Sequence, residues 1–290
     1  MKNSNSANGR GAAPGKLLSI QDVSCFGQCS LTVALPVVSA CGVETAILPS
    51  AVLSTHTAPG FKNWTFRDLT DDMGAIEASW LENGVTFDAF YTGYVCASQI
   101  NPILSIMDKC AAPGALRIVD PAMADNGVLY PGFADDFPAE MRRLCAGADC
   151  ILPNLTEAAL LLGRRPVLEG YDRKFVEDLL AALLGIGAKS VILTGVTFEA
   201  SKLGVATFDG GEPRYYFNDR NPHSSHGTGD LYASVFAGAK MRGWGTPEAA
   251  ALAADVVCEA LAQTPLSHWY GVCFEKALPY LVKRLEGAVS

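Results

Sequence analysis

Basic residues are scarce in this chain: 22 Lys and Arg stand against 30 Asp and Glu over 290 residues, for a formal net charge of −8. No basic run occurs, and a nucleic-acid surface, which needs clustered cations, is not expected. A membrane span is not expected either. The segment Val23–Val43 carries no charge over 21 residues, yet Ser24, Gln28, Ser30, Thr32, Pro36, Ser39 and Gly42 interrupt it, so it reads as a buried loop and helix. Residues 1–15 lack the apolar stretch of a signal peptide, so they read as a disordered tail and the compartment as the cytoplasm. Cys-x-x-Cys pairs are missing: nine cysteines, an odd number, are spread from Cys25 to Cys273 and are expected as reduced thiols. His223 and His226 lie three apart with no third ligand of a zinc pattern nearby, which favours loop histidines over a metal pair. No repeat, low-complexity block or flexible linker follows residue 15, so 16–290 reads as one domain.

The composition, 49% hydrophobic and 18% charged, permits a large buried core. Apolar segments short enough for strands alternate with stretches of helical period. Strands are expected at Lys16–Val23, Val43–Pro49, Phe87–Tyr91, Ala115–Val119, Cys150–Leu152 and Ser190–Gly195. Helices are expected through Leu31–Val38, over Asp68–Asn83 with Leu69, Met73, Ile76, Trp80 and Leu81 inward, over Gln99–Ala111 and Phe137–Ala146, after Asn154, and around Arg173–Ile186. This βα rhythm predicts an α/β fold with a doubly wound, mostly parallel sheet flanked by helices. Lys202–Phe208 and Arg214–Asn218, joined through Asp209-Gly210-Gly211, read as a small antiparallel hairpin beside it. Thr246-Pro247-Glu248 reads as the cap and first turn of a helix to about Gln263, and Phe274–Leu285 as a last helix.

The most informative stretch is His226-Gly227-Thr228-Gly229-Asp230, which runs into the small and apolar residues Leu231–Lys240. Two glycines at a helix start free backbone N–H groups to face an anion, and the helix dipole adds to their effect. Asp230 then reads either as ordinary dipole complementation or as a general base beside an anion hole, an arrangement sufficient for phosphoryl transfer. Ligands of open parallel sheets bind at the carboxyl ends of the strands. The sequence puts Ser19, Gln21, Asp22, Thr92-Gly93-Tyr94, Asp120, Asn154, Glu157, Thr194 and Asp230 there. The loop from Asp120 to Gly127 holds two carboxylates, Asp120 and Asp125, suited to Mg2+ held largely through water and phosphate, or simply to a turn. Asn154 and Glu157, considered alone, fit a capping box. Ser54-Thr55-His56-Thr57 and Thr92-Gly93-Tyr94 offer hydroxyls, an imidazole and an aromatic face for a polar heteroaromatic ring, or ordinary loop filling.

Taken together, Ser19-Ile20-Gln21, His56-Thr57, Thr92-Gly93-Tyr94, Asp120-Pro121, Asn154…Glu157 and Gly227-Thr228-Gly229-Asp230 resemble the ribokinase-like superfamily, and within it the pyridoxal kinases, from about Lys16 onward. The resemblance implies ATP-dependent phosphorylation of the 5′-hydroxymethyl group of pyridoxal, and of pyridoxine and pyridoxamine, in vitamin B6 salvage. It implies Asp230 as the base, Gly227, Thr228 and Gly229 as the anion hole, and Asp120, Asp125 and Glu157 around the metal. Asp120, Asn154, Thr194, Gly195 and Thr228 would meet the nucleotide, and Ser19, Thr57 and Tyr94 the pyridine ring, with His56 nearby. ATP and Mg2+ are implied, a monovalent cation is left open, and a homodimer is suggested. Two departures stand out: Asp22 replaces the usual Ser or Ala, as a pocket carboxylate or a turn residue, and the loop after Asp125 is short. A hydroxymethylpyrimidine kinase, alone or as a second specificity, is the nearest alternative. A sugar kinase is more distant, and a non-catalytic B6- or nucleotide-binding protein would be of another class, disfavoured by the intact Gly-Thr-Gly-Asp.

Overall fold

Period-two alternation along the strands decides the layers. The computed structural model describes residues 15–287, and the tail expected over 1–15 lies outside them except for Gly15. The first half runs β1 (Lys16–Ser24), α1 (Leu31–Ala40), β2 (Glu44–Leu53), β3 (Phe66–Asp68), α2 (Thr70–Glu82), β4 (Phe87–Thr92), α3 (Ile100–Lys109), β5 (Ala111–Val119) and a two-stranded hairpin, β6 (Ala124–Asp125) with β7 (Val128–Leu129). The second runs α4 (Phe137–Cys145), β8 (Cys150–Ile151), α5 (Leu155–Leu161), α6 (Arg173–Leu184), β9 (Ser190–Val196), β10 (Lys202–Phe208), β11 (Arg214–Asp219), α7 (Thr228–Met241), α8 (Thr246–Gln263) and α9 (Leu278–Glu286).

Nine strands form one sheet in the order β11-β10-β9-β8-β5-β4-β1-β2-β3. The six from β9 to β2 pair in parallel, while β10, β11 and β3 are antiparallel additions at the two edges. Leu17, Ala89, Tyr91 and Ile118 face one core with α1, α7, α8 and α9, whereas Leu18, Ile20, Phe90 and Val119 face the other with α2 to α6. Strands covered on both faces are apolar at nearly every position, which is why they read as short continuous runs. The chain leaves β1 for β2 on one side and later returns to β4 on the other. The carboxyl ends of β1 and β4 therefore flank the crevice where such sheets bind ligands.

Several expected boundaries shift for local reasons. Asp68 closes β3, a strand not expected, and its Oδ1 accepts the Thr70 N–H at 2.7 Å at the opening of α2. Leu81 in α2 is exposed rather than inward. The helix expected from Gln99 begins as a 3-10 turn, because the Gln99 carboxamide is used on Cys96 N and Ser50 O; the helix ends at Lys109, and Ala111 already belongs to β5. Gly245, not Thr246, is the N-cap of α8. The last expected helix is split into a 3-10 turn at Phe274–Ala277 and α9. Among the described residues no helix is long and apolar enough to cross a membrane.

Three loops separated widely in sequence are locked at the rim. Gly227 has φ 78°, and a Cβ there would lie 1.7 Å from the Gln28 carbonyl oxygen. Gln28 also bridges to Gly271, and the Val272 N–H donates to the His226 carbonyl at 3.0 Å. The loop after β1, the turn before α7 and the 268–272 loop are therefore joined by direct backbone contacts. Gly84 provides a contrast, with φ 64° but nothing within 4 Å of a Cβ. Gly84→Ala is expected to cost only the left-handed backbone penalty, about 1 kcal/mol, and Gly227→Ala about 3 kcal/mol or more through the added clash. Urea denaturation of the two variants checks this; equal losses would mean the rim loops yield easily.

Candidate active site

The turn before α7 is built by backbone constraint before any side chain contributes. Gly227 sits left-handed as the N-cap, Thr228 Oγ1 donates to the Ser225 carbonyl at 3.1 Å, and the first N–H groups of α7 are left for an incoming anion. Asp230, in the first turn, is half-buried. Burial pushes its carboxyl up to about 7; a backbone hydrogen bond from Ser30 opposes the shift, and the nearby Asp22 charge adds to it. Ser30 adopts φ 54° and ψ −131°, a costly conformation for a residue with a Cβ, in the loop that delivers its N–H to Asp230. A carboxyl poised near neutrality beside unpaired amides is what a general base next to an anion hole requires.

On the opposite side, Asp120 leaves the end of β5 and is buried, with no hydrogen bond to its carboxylate among the described residues. Its carboxyl is raised well above the usual range, first by burial and then by the charges of Glu157 and Asp230. Glu157 is buried, and its two oxygens accept three backbone N–H groups: Asn154 at 2.9 Å, Met123 at 3.1 Å and Ala124 at 3.4 Å. Burial lifts it to about 8 despite those bonds. Asn154 completes a capping box by accepting from Thr156 and Glu157, and its Nδ2 donates to the Ala124 carbonyl at 2.8 Å. The capping reading of this pair is thus realised, and it does more than cap: it fastens the Asp120–Gly127 loop to α5. Asn154 also bridges to Thr194 at the end of β9, next to the left-handed, exposed Gly195. Asp125 lies exposed on the β6–β7 hairpin, where it accepts from both nitrogens of Asn126.

Among the described residues no three His, Cys, Asp or Glu side chains form a metal cage. The oxygen donors present, with the uncompensated Asp120 foremost, fit a hard cation shared with phosphate and water. Tyr130, which the sequence reading passed over, belongs to the same group: burial raises its phenol strongly, followed by the charges of Glu157, Asp125, Asp120 and Asp230.

The residues expected around the ring come from β1, β4 and the loop after β2. Ser19 is fully buried and accepts from Gln21 Nε2 at 2.9 Å. Tyr94 is half-buried, its ring 5.0 Å from Phe133, which stacks on Phe137. Thr57 is half-buried. His56 is buried with both ring nitrogens engaged: Nδ1 accepts from Ala58 N–H at 3.2 Å, so Nε2 donates to the Tyr270 carbonyl at 2.8 Å. Burial lowers its pKa, and its neutral ring braces Gly27, Phe61 and the 268–272 loop. Asp22 is buried and bonded by Ser24 and Ser30, which ties it into its own loop; burial still raises its carboxyl. Cys29, held between Asp230 and Asp22 with its thiol pushed well up by burial, and the aromatic group of Phe26, Phe61, Trp269 and Tyr270 were not singled out from sequence. They belong to no motif, and Trp269 and Tyr270 come from the far end of the chain.

Because Glu157 accepts on both oxygens, Glu157→Gln leaves at least one buried N–H facing an amide donor. A loss of about 1–3 kcal/mol in chemical denaturation is expected; unchanged stability would mean that Glu157 does not hold the loop.

A family model described as phosphomethylpyrimidine kinase matches residues 62–272. A pyridoxal kinase of Granulibacter bethesdensis is 26% identical over 236 residues, 76% of this chain and 79% of that protein. A Bacteroides thetaiotaomicron protein crystallised with pyridoxal is 33% identical, with 92% of this chain and 96% of that one covered at a TM-score of 0.86. For the pyridoxal kinase of Lactobacillus plantarum the values are 32%, 94%, 98% and 0.85. The matched segment takes in the ends of β4, β5 and β9, the capping box and the Gly-Thr-Gly-Asp turn described above, and the chain belongs to the phosphomethylpyrimidine kinase family, on the ribokinase-like fold.

Proposed function

We propose that the protein transfers the γ-phosphoryl group of ATP to the 5′-hydroxymethyl oxygen of pyridoxal, and of pyridoxine and pyridoxamine, giving the 5′-phosphate and ADP. The observation that carries this reading is Asp230, a carboxyl lifted to about 7 and placed one residue after the Gly227-Thr228-Gly229 turn. In this reading the Asp230 carboxylate accepts the hydroxyl proton as the alcohol oxygen attacks the γ-phosphorus in line, and the bond to the ADP oxygen breaks. The amides of Gly227, Thr228 and Gly229 receive the charge on the phosphoryl oxygens. Asp120, Asn154, Thr194, Gly195 and Thr228 hold the nucleotide. Asp120 and Asp125 would hold Mg2+, and Glu157 fixes the loop that carries both. When bound, Mg2+ supplies positive charge to the phosphate oxygens beside this cluster.

Ser19, Thr57 and Tyr94 take the ring, while His56 and Asp22 hold the walls in place. The chain's likeness to the pyridoxal kinases supports this substrate, and the resemblance further supports a homodimer; the continuous βα rhythm supports one kinase domain from residue 16, and the cytoplasm is the compartment we assign. The family model's description favours a second reading, a hydroxymethylpyrimidine substrate, which has a similar flat ring and the same reactive group.

Asp230→Asn is expected to lower kcat by about 10²–10⁴-fold while ATP affinity stays within about twofold. A base acts only when deprotonated, so wild-type kcat/KM should fall as pH drops through about 7 and level off above it, a limb the Asn variant lacks. Near-wild-type turnover by that variant would reduce Asp230 to a capping residue.

For the substrate, equal concentrations of pyridoxal and hydroxymethylpyrimidine compete for limiting ATP. Pyridoxal 5′-phosphate should predominate; an excess of the pyrimidine phosphate would transfer the assignment to the second reading and leave the kinase chemistry standing.

A further inference from the structure

Two imidazoles meet at the crevice, and only one is spoken for. The rings of His56 and His226 are 5.1 Å apart and inclined at 49°. His56 spends both nitrogens on the backbone of Ala58 and Tyr270, so it has none left to offer a ligand. His226 is half-buried, and its ring makes no hydrogen bond to any other described residue. Its position is nonetheless rigid: its carbonyl accepts from Val272 N–H, and the residue that follows is Gly227, held against Gln28. Of the chain's other two histidines, His223 is exposed and His268 is bonded to the Gly271 carbonyl.

His226 thus stands directly before the anion turn and against the imidazole that braces the ring wall. The charged and titratable groups acting on it are His56, which adds to the lowering by burial, and the Asp125 carboxylate of the β6–β7 hairpin, which opposes it. Burial and the His56 ring keep it neutral near pH 7, so one nitrogen donates and the other accepts.

We propose that His226 reads the ring substituent next to the reactive hydroxymethyl group and thereby sets the preference among flat heteroaromatic alcohols. This rests on the kinase reading above. An alcohol oxygen placed between Asp230 and the γ-phosphate puts its ring between the anion turn and the wall of Ser19, Tyr94 and His56. The substituent beside that alcohol then falls to the one uncommitted imidazole. A neutral His226 donates to the formyl oxygen of pyridoxal, exchanges either role with the hydroxyl of pyridoxine, and accepts from an amine.

The test compares kcat/KM for pyridoxal and for the 4-deoxy analogue of pyridoxine, whose methyl group makes no hydrogen bond at that position. His226→Phe is expected to lower the value for pyridoxal about tenfold more than for the deoxy analogue, the effect of one lost hydrogen bond with a polar partner left unpaired, while KM for ATP moves by less than about twofold. His226→Ala gives the same differential if the larger ring disturbs the turn, and His226→Gln, which keeps a donor and an acceptor, recovers most of it. Equal losses on both substrates in the Phe and Ala variants would overturn the role of His226 and leave the kinase reading intact. A wild-type protein that phosphorylates neither compound would overturn both.

Discussion

The contact between the Gln28 carbonyl oxygen and the bare Cα of Gly227 is the constraint that the rim depends on. A carbonyl that close tolerates no Cβ, and the positive φ of Gly227 turns the following amides outward at the start of α7. The same Gln28 bridges to Gly271, which brings the 268–272 loop against His226 and lets Tyr270 accept from His56. The loop after β1 continues through Ser30, whose strained backbone delivers an N–H to Asp230. The turn before α7, the Asp230 carboxyl and the His56 wall are therefore set by one set of backbone contacts.

Charge is the second organising quantity. Burial raises Asp120, Glu157 and Asp230; the charges of Glu157 and Asp230 add to the shift of Asp120, Asp125 to that of Glu157 and Asp22 to that of Asp230, and no lysine or arginine is among the groups shifting any of the three. Glu157 offsets its burial with three backbone N–H donors and so serves as a strut. Asp120 has no comparable compensation. A site that holds carboxylates in this state is least stable when empty, and positive charge arriving with a nucleotide phosphate would be bound tightly. Local electrostatics, not net charge, is what lets a chain of −8 take an anionic substrate.

Much of this was legible from sequence because its cause is local. Alternating apolar strands and helical stretches dictated the doubly wound sheet, since strands buried on both faces admit few polar residues. The hairpin of β10 and β11 announced itself through Asp209-Gly210-Gly211. Gly227-Thr228-Gly229-Asp230 marked a glycine turn at a helix start because glycine spacing and an acidic first-turn residue act within a few residues. The rule that ligands sit at strand carboxyl ends then gathered Ser19, Tyr94, Asp120, Asn154 and Thr194 on one rim.

What only the tertiary structure decided is who touches whom across long separations. Sequence left Asn154 and Glu157 as a cap or a ligand pair; the structure makes them a cap that also fastens a loop some thirty residues earlier, because Met123 and Ala124 turn their N–H groups onto Glu157. His56 was expected near the substrate ring; Ala58 and Tyr270 take up both of its nitrogens, and Tyr270 is 214 residues away. Tyr130 and Cys29 carry no motif at all, and the motif that His226 opens does not say that its ring is left uncommitted. Their roles follow from burial and from neighbours supplied by other loops, and no residue's own sequence surroundings encode what a distant loop will bring to it.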